Sequence, residues 1–371
     1  MKINRIKICD FRNIQEMEIS LCENANIIYG ENGQGKTNFI EAVWLFTGAK
    51  SFRGAKDPQM VRFGQEKAVM EMEFFSGERE QTARMEINGK KTASVNEIPL
   101  KSPADLAGRF CAVVFSPTHL NLIKNGPQEK RRFIDTSICQ IKSKYIHILN
   151  QYNRVLNQRN SLLKDMRFVP ALYDTLDIWD ERLASYAAVL IKTRATFLQR
   201  LKPFATETYK GISREKEALD FMYLSSLDCD LEGSIPEIEK QVYESLLSKR
   251  EEDSKTGISN YGPHRDDIEI LLDGKSARIY GSQGQQRSCV LSLKLAECQL
   301  IKETIGEYPV VLLDDVMSEL DALRRDYLLN HLRDRQLIMT CCDKAYFKTL
   351  GKGMGFKIKE GKVISSRKYG G

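Results

Sequence analysis

The chain has 371 residues, and its 56 Lys+Arg against 50 Asp+Glu leave a net charge of +6, with 42% apolar and 29% charged residues. Such a length holds about two domains with a proper core, and the composition excludes disordered, collagenous and disulfide-stapled classes. No apolar run approaches the roughly 20 residues that cross a bilayer, so no membrane partner is expected.

Met1 to Lys7 mixes polar and apolar residues and reads as a first strand rather than a secretory signal. Ile3, Ile6 and Ile8 belong to it, a turn falls at Arg12-Asn13, and Met17 and Ile19 follow. Ala25 to Tyr29 is a short apolar strand that stops at Gly30, and a helix is expected from Lys36 to Leu45. Residues 68–75 and 82–87 read as strands, with a turn at Asn88-Gly89, and Cys111 to Phe115 as a buried strand.

From Thr118 to about Gly257 helical spacing replaces alternation. Trp179, Leu183, Tyr186, Leu190, Phe197 and Leu201 mark the core face of one long helix. Ser254 to Ser259 reads as a polar return connection, and 268–280 as a hairpin turning at Asp273-Gly274. A helix follows from Gln286 to Glu303, then strands at Val310–Leu313 and Gln336–Thr340. The order is α/β, then mostly α, then α/β.

Gly30-Glu31-Asn32-Gly33-Gln34-Gly35-Lys36-Thr37 fits G-x-x-x-x-G-K-[ST] between a strand and a helix. Its glycines let backbone N–H groups wrap phosphates, Lys36 reaches the β- and γ-phosphates, and the Thr37 hydroxyl is a Mg²⁺ ligand. Gly30 through Asn38, including Glu31, Asn32, Gln34 and Asn38, are expected to bind the nucleotide. Val310 to Leu313 ends in Asp314-Asp315, where Asp314 is expected to hold Mg²⁺ and Asp315 to orient or deprotonate the attacking water. An Asp pair capping the next helix is the alternative. Gly281-Ser282-Gln283-Gly284-Gln285-Gln286 precedes a helix and offers a second anion site or an ordinary N-cap. Ser318-Glu319-Leu320-Asp321 follows the acids.

This order resembles the ABC-type ATPase head: phosphate loop, S-x-G-Q signature, acidic strand, D-loop. The resemblance implies that Ser282, Gly284 and Gln285 of one copy bind the ATP held by another, with Asp321 at the seam of a homodimer. The 278 residues from Lys36 to Asp314 (314 − 36) exceed a transporter domain and fall short of an SMC coiled coil. Phe11-Arg12-Asn13, Gly30 to Asn38, Pro117 to Asp135, Gly262-Pro263-His264-Arg265, Ser282 to Gln286 and Leu312 to Asp321 together resemble the RecF recombination-mediator family. Thr118, Asn125 and Lys130 depart from that family's usual acid, Gly and Arg. The expected fold is an α/β ABC-type P-loop ATPase head (1–117 and 258–371) with an inserted, mainly α-helical lobe II (118–257).

Between Thr118 and Val169 lie ten basic residues (Lys124, Lys130, Arg131, Arg132, Lys142, Lys144, Arg154, Arg159, Lys164 and Arg167) against three acids, a net of +7. The remainder of the chain therefore carries −1. Such clustering points to a phosphate backbone, with Lys124, Lys130, Arg131, Arg132, Lys142 and Lys144 as DNA contacts. Alternatively, Lys130, Arg131 and Arg132 form a structural network with Asp135. Arg12 and Asn13 are candidates for the nucleotide or for a turn; Arg53 for nucleotide, DNA or neither; His264 and Arg265 for structure or catalysis. The family resemblance implies an ATP- and Mg²⁺-dependent weak ATPase. It would clamp DNA at gaps or single-strand/double-strand junctions and load RecA with RecR and RecO. A structural ATP-binding adaptor and a P-loop phosphotransferase are the rivals. Where ABC heads carry a His after the strand following the D-loop, Met339 to Asp343 has none, which implies slow hydrolysis. The nine cysteines form no C-x-x-C pair, as expected of reduced thiols in a cytoplasmic protein.

Overall fold

A computed structural model describes residues 1–166, 168–342 and 350–370. Arg167 and Asp343 lie outside them. The strands are β1 (Lys2–Phe11), β2 (Ile14–Ser20), β3 (Ala25–Tyr29), β4 (Ala68–Ser76), β5 (Arg79–Asn88), β6 (Lys90–Val95), β7 (Ile98–Pro99), β8 (Ala112–Phe115), β9 (Leu219–Leu224), β10 (Asp267–Leu272), β11 (Lys275–Ser276), β12 (Val310–Asp314), β13 (Leu337–Cys341), β14 (Gly353–Lys359) and β15 (Lys362–Tyr369). The helices are α1 (Lys36–Leu45), α2 (Pro117–Leu120), α3 (Pro127–Ile141), α4 (Ser143–Asp165), α5 (Leu176–Ser213), α6 (Ile235–Thr256), α7 (Ala277–Tyr280), α8 (Gln283–Ile305) and α9 (Ala322–His331).

Among the described residues the strands form three sheets. One is antiparallel in the order β2-β1-β4-β5-β6-β7; one runs β15-β14-β3-β13-β12-β8; a small one runs β11-β10-β9. In the second, β14, β3, β13, β12 and β8 are parallel and β15 closes the edge antiparallel. A parallel sheet covered on both faces needs strands without alternation, which is why β3, β8, β12 and β13 read as mostly apolar runs. Their two faces feed different cores. Ile28, Val114, Leu312 and Ile338 join α1 and the antiparallel sheet, with Phe39, Ile6 and Phe74. Ile27, Val113, Leu313 and Met339 face α5 and α8, with Leu190, Leu201, Cys298 and Ile301. The sheet that orders the site is thus clamped between two cores.

The predicted stripe on α5 is core: Leu183, Leu190, Phe197 and Leu201 are buried, and Trp179 and Tyr186 pack beside them. Three readings are corrected. Residues 277–280 form α7, so the second arm of the expected hairpin is only β11. The polar stretch from Ser254 belongs to the end of α6, which stops at Gly257 in a left-handed conformation (φ 73°). Finally, β9 lies inside the expected helical stretch and pairs antiparallel with β10, across the expected boundary at 257. Strands β14 and β15 were not anticipated.

Five cysteines (Cys111, Cys139, Cys289, Cys298 and Cys341) are buried, and burial pushes the Cys111 thiol up to about 12. No described helix is long and apolar enough to cross a membrane.

Candidate functional site

The phosphate loop occupies the turn from β3 to α1. Gly33 and Gly35 hold left-handed backbones (φ 78° and 103°), and Gly35 caps α1. A Cβ at Gly35 would sit 2.9 Å from Asn13 Oδ1. Asn13 clamps the loop: its Nδ2 donates to Gly33 O at 2.8 Å and its Oδ1 accepts from Asn38 Nδ2 at 2.7 Å. The hairpin β14–β15 clamps the other side, with Glu360 N donating to Gln34 Oε1 (2.6 Å) and Gly361 N to Gln34 O (3.0 Å). The Lys36 ammonium reaches back along the loop, donating to Gly30 O (2.6 Å) and Glu31 O (2.9 Å), with Cys342 Sγ at 3.4 Å. Cys342 Sγ in turn donates to Asn32 Oδ1 at 3.1 Å.

The acidic strand end meets this loop. Parallel pairing sets Asp314 of β12 beside Thr340 of β13. Asp314 Oδ1 accepts from Thr37 Oγ1 and from Thr340 Oγ1, both at 2.9 Å, and Thr340 Oγ1 accepts from Asp315 N at 3.0 Å. Burial raises the Asp314 carboxyl above the ordinary range, against the two hydroxyls that lower it. Burial also raises Asp315, whose nearest cationic influence is Lys36. Asp315 is left-handed (φ 50°), a strained geometry for a non-glycine residue.

These residues fit Mg²⁺ and a nucleotide triphosphate. Adjacent oxygens of an octahedral Mg²⁺ with bonds of about 2.1 Å lie about 3 Å apart, matching Thr37 Oγ1 and Asp314 Oδ1. Lys36, donating to its own loop carbonyls, is poised over the cradle where phosphates would lie. A bound Mg²⁺ would offset the desolvation of both aspartates.

Behind the loop, Glu41 of α1 is fully buried (0% exposed) and anchors arginines. Arg12 donates to it through Nε (3.0 Å) and Nη2 (2.9 Å) and to Gln59 O through Nη1 (3.0 Å). Arg53 lies 3.6 Å from Glu41 and donates to Asn38 Oδ1 at 2.9 Å, one residue beyond Thr37. Glu41, a lone acid in an apolar helix, was the sequence signal left unread.

The signature turn opens α8. Ser282 Oγ accepts from Gln285 N (3.3 Å) and Gln285 Oε1 accepts from Ser282 N (2.7 Å), a capping box. Ser282 itself is exposed. Arg324 of α9 lies against Gly284, where a Cβ would stand 3.0 Å from its Nη2. It also donates to Ser288 Oγ (2.8 Å) and pairs with Asp321. Signature and D-loop are therefore joined to each other. Among the described residues, no hydrogen bond joins Ser282, Gly284 or Gln285 to the phosphate loop.

The basic cluster divides. Lys124, Lys142 and Lys144 are exposed. Lys130 is corrected: it is 4% exposed, and its ammonium is held by Asp267 (2.7 Å) and Ile268 O (2.6 Å), so burial removes it from any surface. Arg159 is also buried, between Asp180 and Asp253 at 2.6 Å each. Arg131 and Arg132 are half-buried and donate to Asp266 O and Ser51 O. The proposed network with Asp135 is not formed; Asp135 instead takes Arg194 (2.9 Å) and Tyr145 (2.6 Å). His264 bonds Tyr152 Oη (2.7 Å) and Ser259 O (3.0 Å), and burial pushes it down to about 4, a neutral structural imidazole. Arg265 is exposed.

A phosphate loop, an acidic strand end and a serine-capped signature helix, arranged on a mostly parallel sheet, define an ABC-type P-loop ATPase head. The model of the RecF/RecN/SMC N-terminal domain matches residues 2–365. The chain belongs to the RecF family. The DNA replication and repair protein RecF of Acetivibrio thermocellus is 40% identical over 367 residues, 98% of this chain and 100% of that one. That of Agathobacter rectalis is 43% identical over 343 residues, 92% of each chain. A solved structure of the recombination mediator protein RecF with ATP, from the RecFOR pathway, superposes with a TM-score of 0.90 at 36% identity, covering 99% of this chain and 97% of that one. The Smc head domain of Pyrococcus furiosus, 14% identical with a TM-score of 0.54 over 99% and 96% of the chains, shares the fold.

Proposed function

We propose that this chain is an ATP-dependent, DNA-binding recombination mediator of the bacterial cytoplasm. Its head comprises residues 1–117 and 258–371, and lobe II residues 118–257. The observation that supports the reading is the Thr37–Asp314 junction, which brings the phosphate loop and the acidic strand end together as a Mg²⁺-nucleotide site would require.

Lys36 and the loop amides bind the phosphates, and Thr37 and Asp314 hold Mg²⁺. Ser282, Gly284 and Gln285 close on the nucleotide of a second copy. Pairing of two heads clamps DNA at gaps or single-strand/double-strand junctions against Lys124, Lys142 and Lys144. Asp315 positions water for hydrolysis, which separates the heads. Turnover is weak because Cys342, rather than a histidine, follows β13. The clamp works with RecR and RecO to load RecA during repair, replication and the SOS response; the RecFOR pathway to which the solved RecF structure belongs supports those partners.

The phosphotransferase rival has no use for a capped signature turn joined to a D-loop. Sizing the protein with and without ATP and gapped DNA tests the reading. Wild type should dimerise with ATP, whereas Lys36→Arg should bind nucleotide poorly and Ser282→Arg should bind it yet stay monomeric. A Ser282→Arg dimer would refute signature pairing in trans.

A further inference from the structure

We infer that Glu217, in the turn between α5 and β9, is a positioning residue that sets the side-chain orientation of Gln285 and with it the shape of the signature turn. The inference rests on the head-pairing reading above for its functional consequence, but its chemistry is local.

A glutamine amide has two ends of opposite character, an acceptor oxygen and a donor NH₂, and rotation by half a turn exchanges them. The capping box requires the oxygen to face Ser282 N, which it does at 2.7 Å. Glu217 fixes the other end of the amide: its Oε1 accepts a hydrogen bond from Gln285 Nε2. An ionised carboxylate only accepts, so the NH₂ must point to it and the oxygen must point to Ser282. Reversal would set the amide oxygen against a carboxylate and the NH₂ against a backbone N–H.

Glu217 is itself held. Its Oε2 accepts from Tyr209 Oη at 2.7 Å, and Tyr209 is buried in α5. A cleft of about 280 Å³ lies between these groups and the D-loop side, lined by Tyr209, Arg214, Glu217, Gln285 and Arg324. The signature turn is therefore gripped from two sides. Arg324 ties it to Asp321 of the D-loop, and Glu217 ties it to α5. Helix α5 packs against α4, and Lys142 and Lys144 stand at the start of α4. Glu217 thus adds a polar link from α5 to the signature turn, at the end of α8 opposite the Arg200–Thr304 bond.

The test uses the full chain, with Glu217→Ala, Glu217→Gln, Gln285→Ala and the double variant Glu217→Ala/Gln285→Ala. One readout is hydrogen exchange at the Ser282 amide in the monomer; the other is the ATP-dependent dimer Kd by sedimentation, with fluorescent-nucleotide affinity measured alongside. Glu217→Ala should raise Ser282 exchange and weaken dimerisation by about tenfold, the loss of one charge-assisted hydrogen bond, while nucleotide affinity is unchanged. Glu217→Gln retains an acceptor and should restore both readouts to within about threefold of wild type. The double variant should be no weaker than either single one, because both break the same link. Wild-type exchange at Ser282 in Glu217→Ala, or multiplied effects in the double variant, would overturn the inference. If wild type itself failed to dimerise, head pairing would fall and the exchange readout would still decide the role of Glu217.

Discussion

Thr37 Oγ1 and Asp314 Oδ1 lie 2.9 Å apart although 277 residues separate them in sequence. The contact exists because β12 stacks in register with β13, and β13 with β3, so the ends of all three strands arrive beside the N-terminus of α1.

That junction holds a carboxyl whose pKa burial raises. A carboxyl raised in the folded state binds its proton more tightly there than in the unfolded chain. Its stabilising contribution is therefore complete below the unfolded value of about 3.9 and is lost as pH rises through the folded one. Asp314→Asn keeps an acceptor for Thr37 and removes the charge. Without nucleotide or Mg²⁺, the variant should melt about 1–2 °C higher than wild type at pH 7.5, and the gain should vanish near pH 4. ATP hydrolysis should fall by about a hundredfold or more. A lower Tm at pH 7.5 would show that the charge is already compensated in the empty protein.

Cys342 is the exposed cysteine, and its sulfur touches Lys36 and Asn32 of the phosphate loop. A thiol reagent should label it faster than the buried cysteines by about tenfold or more. Saturating ATP and Mg²⁺ should slow that labelling, whereas AMP, lacking the β- and γ-phosphates that Lys36 is placed to meet, should not. Peptide mapping of the labelled protein checks both. Equal labelling with and without ATP would place Cys342 outside the nucleotide's reach.

The sequence was legible where local chemistry dictates structure. The helix at Lys36–Leu45, the four buried strands around it and the cap at Ser282 follow from turn residues, apolar runs and capping pairs alone. The pairing of β9 with β10 was not legible, because a six-residue strand with mixed polarity is stabilised by partners that lie 43 to 53 positions away. Nor does charge counting separate Lys142 from Lys130. Both are lysines in one basic segment, but Asp267 lies far along the chain and meets Lys130 only after folding. Glu217 escaped for the same reason: its meaning depends on Gln285.

Glu41 concentrates the polar contacts that support the loop. A fully buried carboxylate that takes two bonds from Arg12, one from Ser51 and the charge of Arg53 leaves uncompensated arginines when truncated. Glu41→Ala should lower unfolding free energy by about 3–5 kcal/mol, measured in urea. Glu18→Ala, removing an exposed partner of Arg5, should leave stability nearly unchanged. Comparable losses at the two sites would mean that burial confers nothing on the Glu41 cluster.

The division of the basic segment makes the sharpest contrast. Lys142 and Lys144 are exposed at the junction of α3 and α4, so the double change to Glu should leave the fold intact. It should also weaken binding to gapped DNA and reduce the slope of log K against log salt by about 2 for duplex contacts, close to one unit for each lost phosphate contact. Lys130→Ala should do the reverse. Its ammonium bridges α3 to β10 through Asp267 and Ile268 O, so its loss should cost about 2–4 kcal/mol of stability and leave the salt slope of the folded fraction unchanged. Urea melts and DNA titrations at three salt concentrations separate the two. A salt slope altered by Lys130→Ala and untouched by the Lys142/Lys144 reversal would move the DNA path away from the exposed lysines and onto the α3–β10 face.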